Sequence, residues 1–140
     1  MTRLGIFAAC AALCLPLAAG CTVNTSNDPA PTVVPATAGT FSVRWSIGGS
    51  FDPAQCDRYR AVTLDLRVYD SAGAFVQQQL VACSAMQSSV SLNPGSYTGT
   101  MTMTDGANTA RTTTLNLRPF SVQSGATTTG DTDFPADSFY

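Results

Sequence analysis

Three of the commonest charged residues are missing from this chain: it has no lysine, no glutamate and no histidine. All seven bases are arginine and all nine acids are aspartate, so charged residues make up only 11% of the 140. Without Lys and Glu the usual surface helix formers are gone, while Thr, Ser, Gly and Val are plentiful, which predicts an all-β fold. Without histidine the chain lacks the usual general base and the commonest metal ligand. Only Asp, Tyr and hydroxyl groups remain for proton transfer, and neither a Gly-x-Ser-x-Gly elbow nor a phosphate-cradling glycine loop occurs. The expectation is a non-catalytic protein without cofactor or metal. A formal net charge of −2 with no basic run excludes nucleic acid as a natural partner and any electrostatic grip on anionic headgroups. Long apolar runs are scarce too. The run Leu4 to Leu15, even extended through Ala19, falls short of the roughly 20 residues a membrane-spanning helix needs.

That run follows a short positive start, Met1 to Arg3, and leads into Leu17-Ala18-Ala19-Gly20-Cys21. Small residues ending in cysteine after an apolar segment resemble the lipobox of bacterial lipoprotein precursors, with Leu17 one place earlier than usual and Ala18 in its slot. The resemblance implies that residues 1–20 are a signal peptide, removed with Cys10, Cys14 and Arg3, and that Cys21 becomes the acylated N-terminus. It also implies a cell-envelope protein anchored to the membrane by lipid, with Thr22 favouring the outer membrane where an Asp would favour retention in the inner one. Removal of Arg3 leaves six bases against nine acids, a net −3. Export leaves Cys56 and Cys83 in an oxidising compartment, where they are expected to form one disulfide. Two thiols without any histidine make half a zinc site at most.

Residues 21–38 carry Pro29, Pro31 and Pro35 among Asn, Thr, Ser and Ala, with little apolar payload; this is a flexible linker. A coil of that length spans about 20–25 Å, enough to lift a domain clear of headgroups. The domain is expected over 39–140. Phe41, Val43, Trp45 and Ile47 alternate with polar residues, as a half-buried strand does, which puts Trp45 in the core. Gly48 to Arg60 is irregular. A second strand covers Ala61 to Tyr69 with Val62, Leu64, Leu66 and Val68 inward, and Asp70-Ser71-Ala72-Gly73 supplies turn chemistry. The third, Ala74 to Cys83, is polar at Gln77-Gln78-Gln79 and suits a sheet edge. Val90 and Leu92 mark a short fourth strand, and Tyr97 to Thr104 a fifth. Arg111 to Leu117 makes the sixth, with Thr113, Leu115 and Leu117 in phase. At Pro119 the phase shifts by one to Phe120 and Val122, as a bulge requires. Ala126 to Phe134 is the seventh.

Between the fourth and fifth strands stands Leu92-Asn93-Pro94-Gly95-Ser96-Tyr97. A Leu-x-Pro-Gly-x-Tyr turn feeding an alternating strand resembles the bacterial prealbumin-like and carboxypeptidase-regulatory-like β-sandwiches, where Pro-Gly makes the turn and the Tyr packs at the start of the next strand. The Lys–Asn isopeptide bond found in some of them is excluded here by the absence of lysine. Seven strands at this spacing predict a single antiparallel β-sandwich, prealbumin-like or immunoglobulin-like.

If the strands alternate in direction, the loops 48–60, 83–87 and 105–108 and the C-terminal tail all lie at the end away from the linker. The expected disulfide then joins two loops of one end, as the count demands. This end gathers Phe51, Arg58, Tyr59 and Arg60, with Phe139 and Tyr140 from the tail: residue types enriched where proteins bind one another, on a cross-linked loop. Phe51 and Tyr59 could equally plug the end of the sandwich. Asp131, Asp133 and Asp137 are the one carboxylate cluster; calcium would need six to eight oxygens, and an exposed strand end is the simpler account. The Thr-x-Thr runs suit exposed β positions. Two functions stay open: a structural or interaction module for an envelope protein partner, or a carbohydrate-binding module. A glycan platform needs coplanar aromatics on an open face; a protein-binding site would gather Arg and aromatics at a rigid loop end.

Each buried CH₂ of an acyl chain contributes about 0.8 kcal/mol to anchoring, so a lipoprotein's two or three chains hold far better than one. Replacing Cys21 by Ser is expected to leave the precursor uncut and unlabelled by a fatty-acid probe; label on Cys21→Ser would overturn the anchor assignment.

Overall fold

The computed structural model describes residues 36–140. The expected signal peptide, the lipidation site Cys21 and most of the 21–38 linker lie outside the described residues. In chain order the elements are β1 (Gly39–Ile47), α1 (Ala54–Arg58), β2 (Thr63–Asp70), β3 (Phe75–Ala82), β4 (Gln87–Leu92), β5 (Gly95–Thr104), β6 (Leu115–Val122) and β7 (Thr127–Phe134). Short 3₁₀ turns occupy Cys83–Ala85 and Ala136–Ser138. The strands form a three-stranded sheet, β4-β1-β7, and a four-stranded sheet, β3-β2-β5-β6. The protein is a seven-stranded β-sandwich.

Period-two patterning accounts for the layers. On β1, Phe41, Val43, Trp45 and Ile47 are all buried, and they share one core with Leu64, Leu66 and Val68 of β2 and Met101 and Met103 of β5. Trp45 is wholly buried and its Nε1 donates to the Cys83 carbonyl at 3.2 Å, so its one polar group is satisfied inside the core. Val62 is in phase with the buried β2 residues but lies ahead of the strand; it is 54% exposed, not inward. The glutamine-rich β3 stands at a sheet edge, where polar side chains and unpaired backbone meet water.

Pairing is antiparallel except between β1 and β7, which run parallel with Thr40 opposite Thr127 and Ile47 opposite Phe134. Seven alternating strands give the first and last the same direction, so neighbours β1 and β7 can only be parallel. The region expected as the start of the sixth strand is irregular instead. Residues 110 and 112 make isolated bridges to Thr104 and Phe139, and β6 begins at Leu115. Here Thr112 is the buried residue and Thr113 the exposed one, because the Thr112 Oγ1 accepts the Met103 N–H at 3.0 Å in place of a ladder carbonyl. At Pro119 the register does shift: Tyr97 faces Phe120 while Gly99 faces Leu117. Proline is tolerated there because β6 is an edge strand.

Pro94-Gly95 carries the chain from β4 in one sheet to β5 in the other. Tyr97 is buried at the start of β5, and its hydroxyl donates back to the Asn93 carbonyl at 2.7 Å, bracing the turn. At the opposite end Cys56 of α1 is bonded to Cys83, both side chains buried. Helix α1 falls in the stretch expected to be irregular. Five residues are too few to show a period, and Asp52 starts the helix by accepting the Ala54 N–H at 3.0 Å.

The bond spans 27 positions, for which chain entropy gives about 3.5 kcal/mol of stabilisation. Replacing Cys56 and Cys83 together by Ser is expected to lower the unfolding free energy by about that amount in urea titration. Free, alkylatable thiols in the unreduced exported protein would refute the link.

Candidate functional site

The outer face of the three-stranded sheet is polar, while β3 of the other sheet exposes Phe75, Val76 and Leu80. Thr40, Ser42, Arg44 and Ser46 of β1 lie in register with Thr127, Thr129, Asp131 and Asp133 of β7, and Ser42 is hydrogen-bonded to Ser89 of β4 at 3.1 Å. On the other sheet the Thr102 and Thr114 hydroxyls meet at 2.9 Å, and Asp65 is paired with Arg67 at 2.9 Å. Hydrogen bonding to Asp65 and its charge hold the Arg67 guanidinium above its ordinary pKa. Tyr69 and Phe75 meet edge to face at 71°, so they offer no coplanar platform. Thr98, Thr127 and Thr129 of the Thr-x-Thr runs are exposed strand residues, whereas Thr104 and Thr112 are buried, and the sole tryptophan is in the core.

Asp131, Asp133 and Asp137 do not converge. Asp131 lies 3.8 Å from Arg44, and the Asp133 carboxylate accepts from the Ser46 hydroxyl at 2.6 Å and the Gly49 N–H at 2.8 Å. Asp137 sits beyond β7 in the 136–138 turn. Among the described residues no group of three Cys, Asp, His or Glu side chains is placed to hold a metal ion.

Two concavities stand out. One, of about 560 Å³, is the seam between the edge strands β6 and β7; Phe41 and Phe120 line it, stacked 3.7 Å apart, along with Leu117 and Arg118. The other, of about 240 Å³, lies at the end of the sandwich opposite the point where the chain enters β1. It is lined by Arg58, Tyr59 and Arg60 from α1 and the residues after it, by Arg111 from the segment before β6, and by Phe139 and Tyr140. Three separate stretches therefore meet here, brought together by strand parity.

The local chain explains how. Arg58 ends α1, and Arg60 takes a left-handed conformation, φ 55°, that turns the chain back so that the Ala61 N–H bonds the Cys56 carbonyl at 2.8 Å. The tail is held by the Thr112–Phe139 bridge, by the Tyr140 N–H on the Arg111 carbonyl at 3.2 Å, and by the Tyr140 hydroxyl on the Thr112 carbonyl at 3.0 Å. Tyr59 stacks on Phe139 with centroids 4.2 Å apart, and Arg58 lies over the Tyr59 ring at 5.6 Å. Both rings pack against the core, so this pair closes the end of the sandwich as well as lining the cleft.

Phe51 is set apart from the other three expected residues. It is 47% exposed and sits under the Arg44 guanidinium at 4.7 Å, away from the lining of the cleft. Arg111 falls at the start of the expected sixth strand, but β6 begins at Leu115 and Arg111 lines the cleft instead. Its position just past the 105–108 loop already placed it at this end.

No family model matches the chain, and no curated protein matches it. Solved structures are similar to it in part. One is a leucine-rich repeat protein from Bacteroides thetaiotaomicron, with 17% identity and a TM-score of 0.43 over 73% of this chain and 14% of that one. A second is a candidate polysaccharide-binding protein from the same organism, with 14% identity and a TM-score of 0.40 over 66% and 46%. A third is a candidate adhesin, also from that organism, with 14% identity and a TM-score of 0.43 over 71% and 46%. The chain thus spans less than half the length of each. Likeness at this level assigns no role to any residue of the cleft.

Stacked aromatic pairs are worth about 0.5–1.5 kcal/mol beyond their area. A double-mutant cycle on Tyr59→Ala and Phe139→Ala is expected to return a coupling of about 1 kcal/mol in unfolding free energy. Simple additivity would show that the two rings do not support one another.

Proposed function

We propose that this protein is a non-catalytic binding module of the cell envelope, anchored by lipid on Cys21 to the outer membrane, which docks a protein partner at the end of the sandwich carrying Arg58, Tyr59 and Arg60. The observation that carries the proposal is the cleft itself: these residues come together with Arg111 and the tail aromatics on a loop fastened by the Cys56–Cys83 bond. Rigid presentation lowers the ordering cost of association, and Arg and aromatic residues dominate the energetics of protein interfaces. The lipobox residues Leu17 to Cys21 support the anchor, and a linker of about 20–25 Å would place the entry end of the sandwich towards the membrane and the cleft away from it.

A carbohydrate-binding module is the weaker alternative. Such a module needs open, coplanar ring faces, whereas Tyr59 is stacked on Phe139, Tyr69 and Phe75 are not coplanar, and Tyr140 is the one strongly exposed ring lining the cleft.

Tyr59 packs on the core, so its removal would disturb the fold; Arg58 and Arg60 are exposed and suit the test. Arg58→Ala with Arg60→Ala is expected to cut partner recovery from detergent-solubilised envelopes at least fivefold while moving the melting temperature by no more than a degree or two. Unchanged recovery would refute docking at this end.

A further inference from the structure

Charge is distributed unevenly over the molecule. The chain is acidic, with a pI near 4.6, yet Arg58, Arg60 and Arg111 line one cleft of about 240 Å³. Among the described residues the ion pairs are Arg44–Asp131 and Arg67–Asp65, so none of the three cleft arginines has a carboxylate partner. The nearest acidic side chains along the chain are Asp57 on α1, Asp105 after β5 and Asp137 in the final turn; none pairs with these arginines, and the Asp105 carboxylate accepts the Ala107 and Thr109 N–H groups instead. The Arg111 Nε is itself shut off from solvent, so it is the outer part of this guanidinium that can share the cleft with Arg58 and Arg60. Three cations without a carboxylate at one concavity make an arrangement that an entering anion neutralises.

From this we infer that the cleft is a carboxylate-binding site, taking Asp or Glu side chains from an acidic segment of the protein partner; the inference rests on docking at this end. Guanidinium forks match carboxylate oxygens two to two, which a lysine ammonium does not. The volume is below that of drug-sized ligand sites, and suits one or two side chains. A uronic-acid polymer would stack on an exposed ring, which Tyr140 offers in the cleft, so polygalacturonate is the comparison that separates the two ligands. A long polyanion such as nucleic acid would run onto the acidic remainder of the chain.

The test uses the full chain extracted in a non-ionic detergent, titrated with an acetylated and amidated hexa-aspartate peptide, with hexa-asparagine and polygalacturonate as comparisons. Saturable binding of hexa-aspartate is expected, weakening as salt rises and absent for hexa-asparagine. Arg60→Gln and Arg111→Gln are each expected to weaken it about tenfold, and Arg118→Gln, in the seam between β6 and β7, to leave it unchanged. Arg60 is exposed, so its variant keeps the test decisive even if Arg111→Gln unfolds. Absence of saturable binding would overturn the inference, as would an equal loss in Arg118→Gln or tighter binding of polygalacturonate at equal carboxylate concentration. Partner recovery separates the two proposals. If Arg58→Ala with Arg60→Ala lowers recovery while hexa-aspartate does not bind, docking stands and the carboxylate site falls; if recovery is unchanged, docking itself falls.

Discussion

The helix side of the cleft depends on the bond between Cys56 and Cys83 and on the hydrogen bond from Trp45 to the Cys83 carbonyl. Cys83 opens the short turn after β3, Cys56 lies in α1, and the Trp45 indole donates to the Cys83 carbonyl at 3.2 Å. A five-residue helix has no stability of its own in water. Tied to a core residue of β1 through Cys83, it becomes a fixed ledge that sets the direction of Arg58, Tyr59 and Arg60. The covalent link therefore serves fold and cleft together: it closes a loop of 27 positions, and it holds Arg58 and Arg60 on a segment that would otherwise be an exposed loop.

The two ends of the sandwich share one turn chemistry. At the entry end the Asp70 carboxylate accepts the Ala72 and Ala74 N–H groups, both at 2.9 Å, and Tyr97 braces Pro94-Gly95. At the cleft end the Asp105 carboxylate accepts the Ala107 and Thr109 N–H groups, again both at 2.9 Å. Distant stretches also meet at each end. Gly39 packs so closely on the Gln123 carbonyl and Val122 that any side chain would clash, and at the other end Tyr59 meets Phe139 and Arg111 meets Tyr140. At the cleft end the converging side chains line a concavity.

Using arginine as the only base shapes the surface as well. An ammonium is a compact, strongly hydrated charge, whereas the weakly hydrated guanidinium packs readily over aromatic rings, as Arg44 does over Phe51 at 4.7 Å and Arg58 over Tyr59 at 5.6 Å. Cation and ring thus occur together at two separate places, and only one of them is a cleft. Phe51 shows that an aromatic residue on the right loop is not thereby part of the site. Its loop leaves β1 beside Arg44, and that neighbour captures the ring.

Much of the architecture was legible from alternation alone, because the side chains of a strand point to opposite faces and one face must be buried. The phase of β1, the edge placement of β3 and the shift at Pro119 all follow from that, and strand parity even assigned loops to ends. Alternation is silent where structure is not periodic: it missed α1, misphased Thr112 and Thr113, and carried Val62 into the core. Those outcomes turn on single hydrogen bonds and on where a sheet stops. By itself, then, the sequence determined a seven-stranded sandwich with two candidate cysteines and an arginine-bearing loop at one end. Only the tertiary structure decided that β7 lies beside β1, that Arg111 joins Arg58 and Arg60, and that Phe51 does not. Which strands become neighbours, and which distant side chains share a cleft, depends on the packing of both sheets at once, and no local pattern along the chain encodes it.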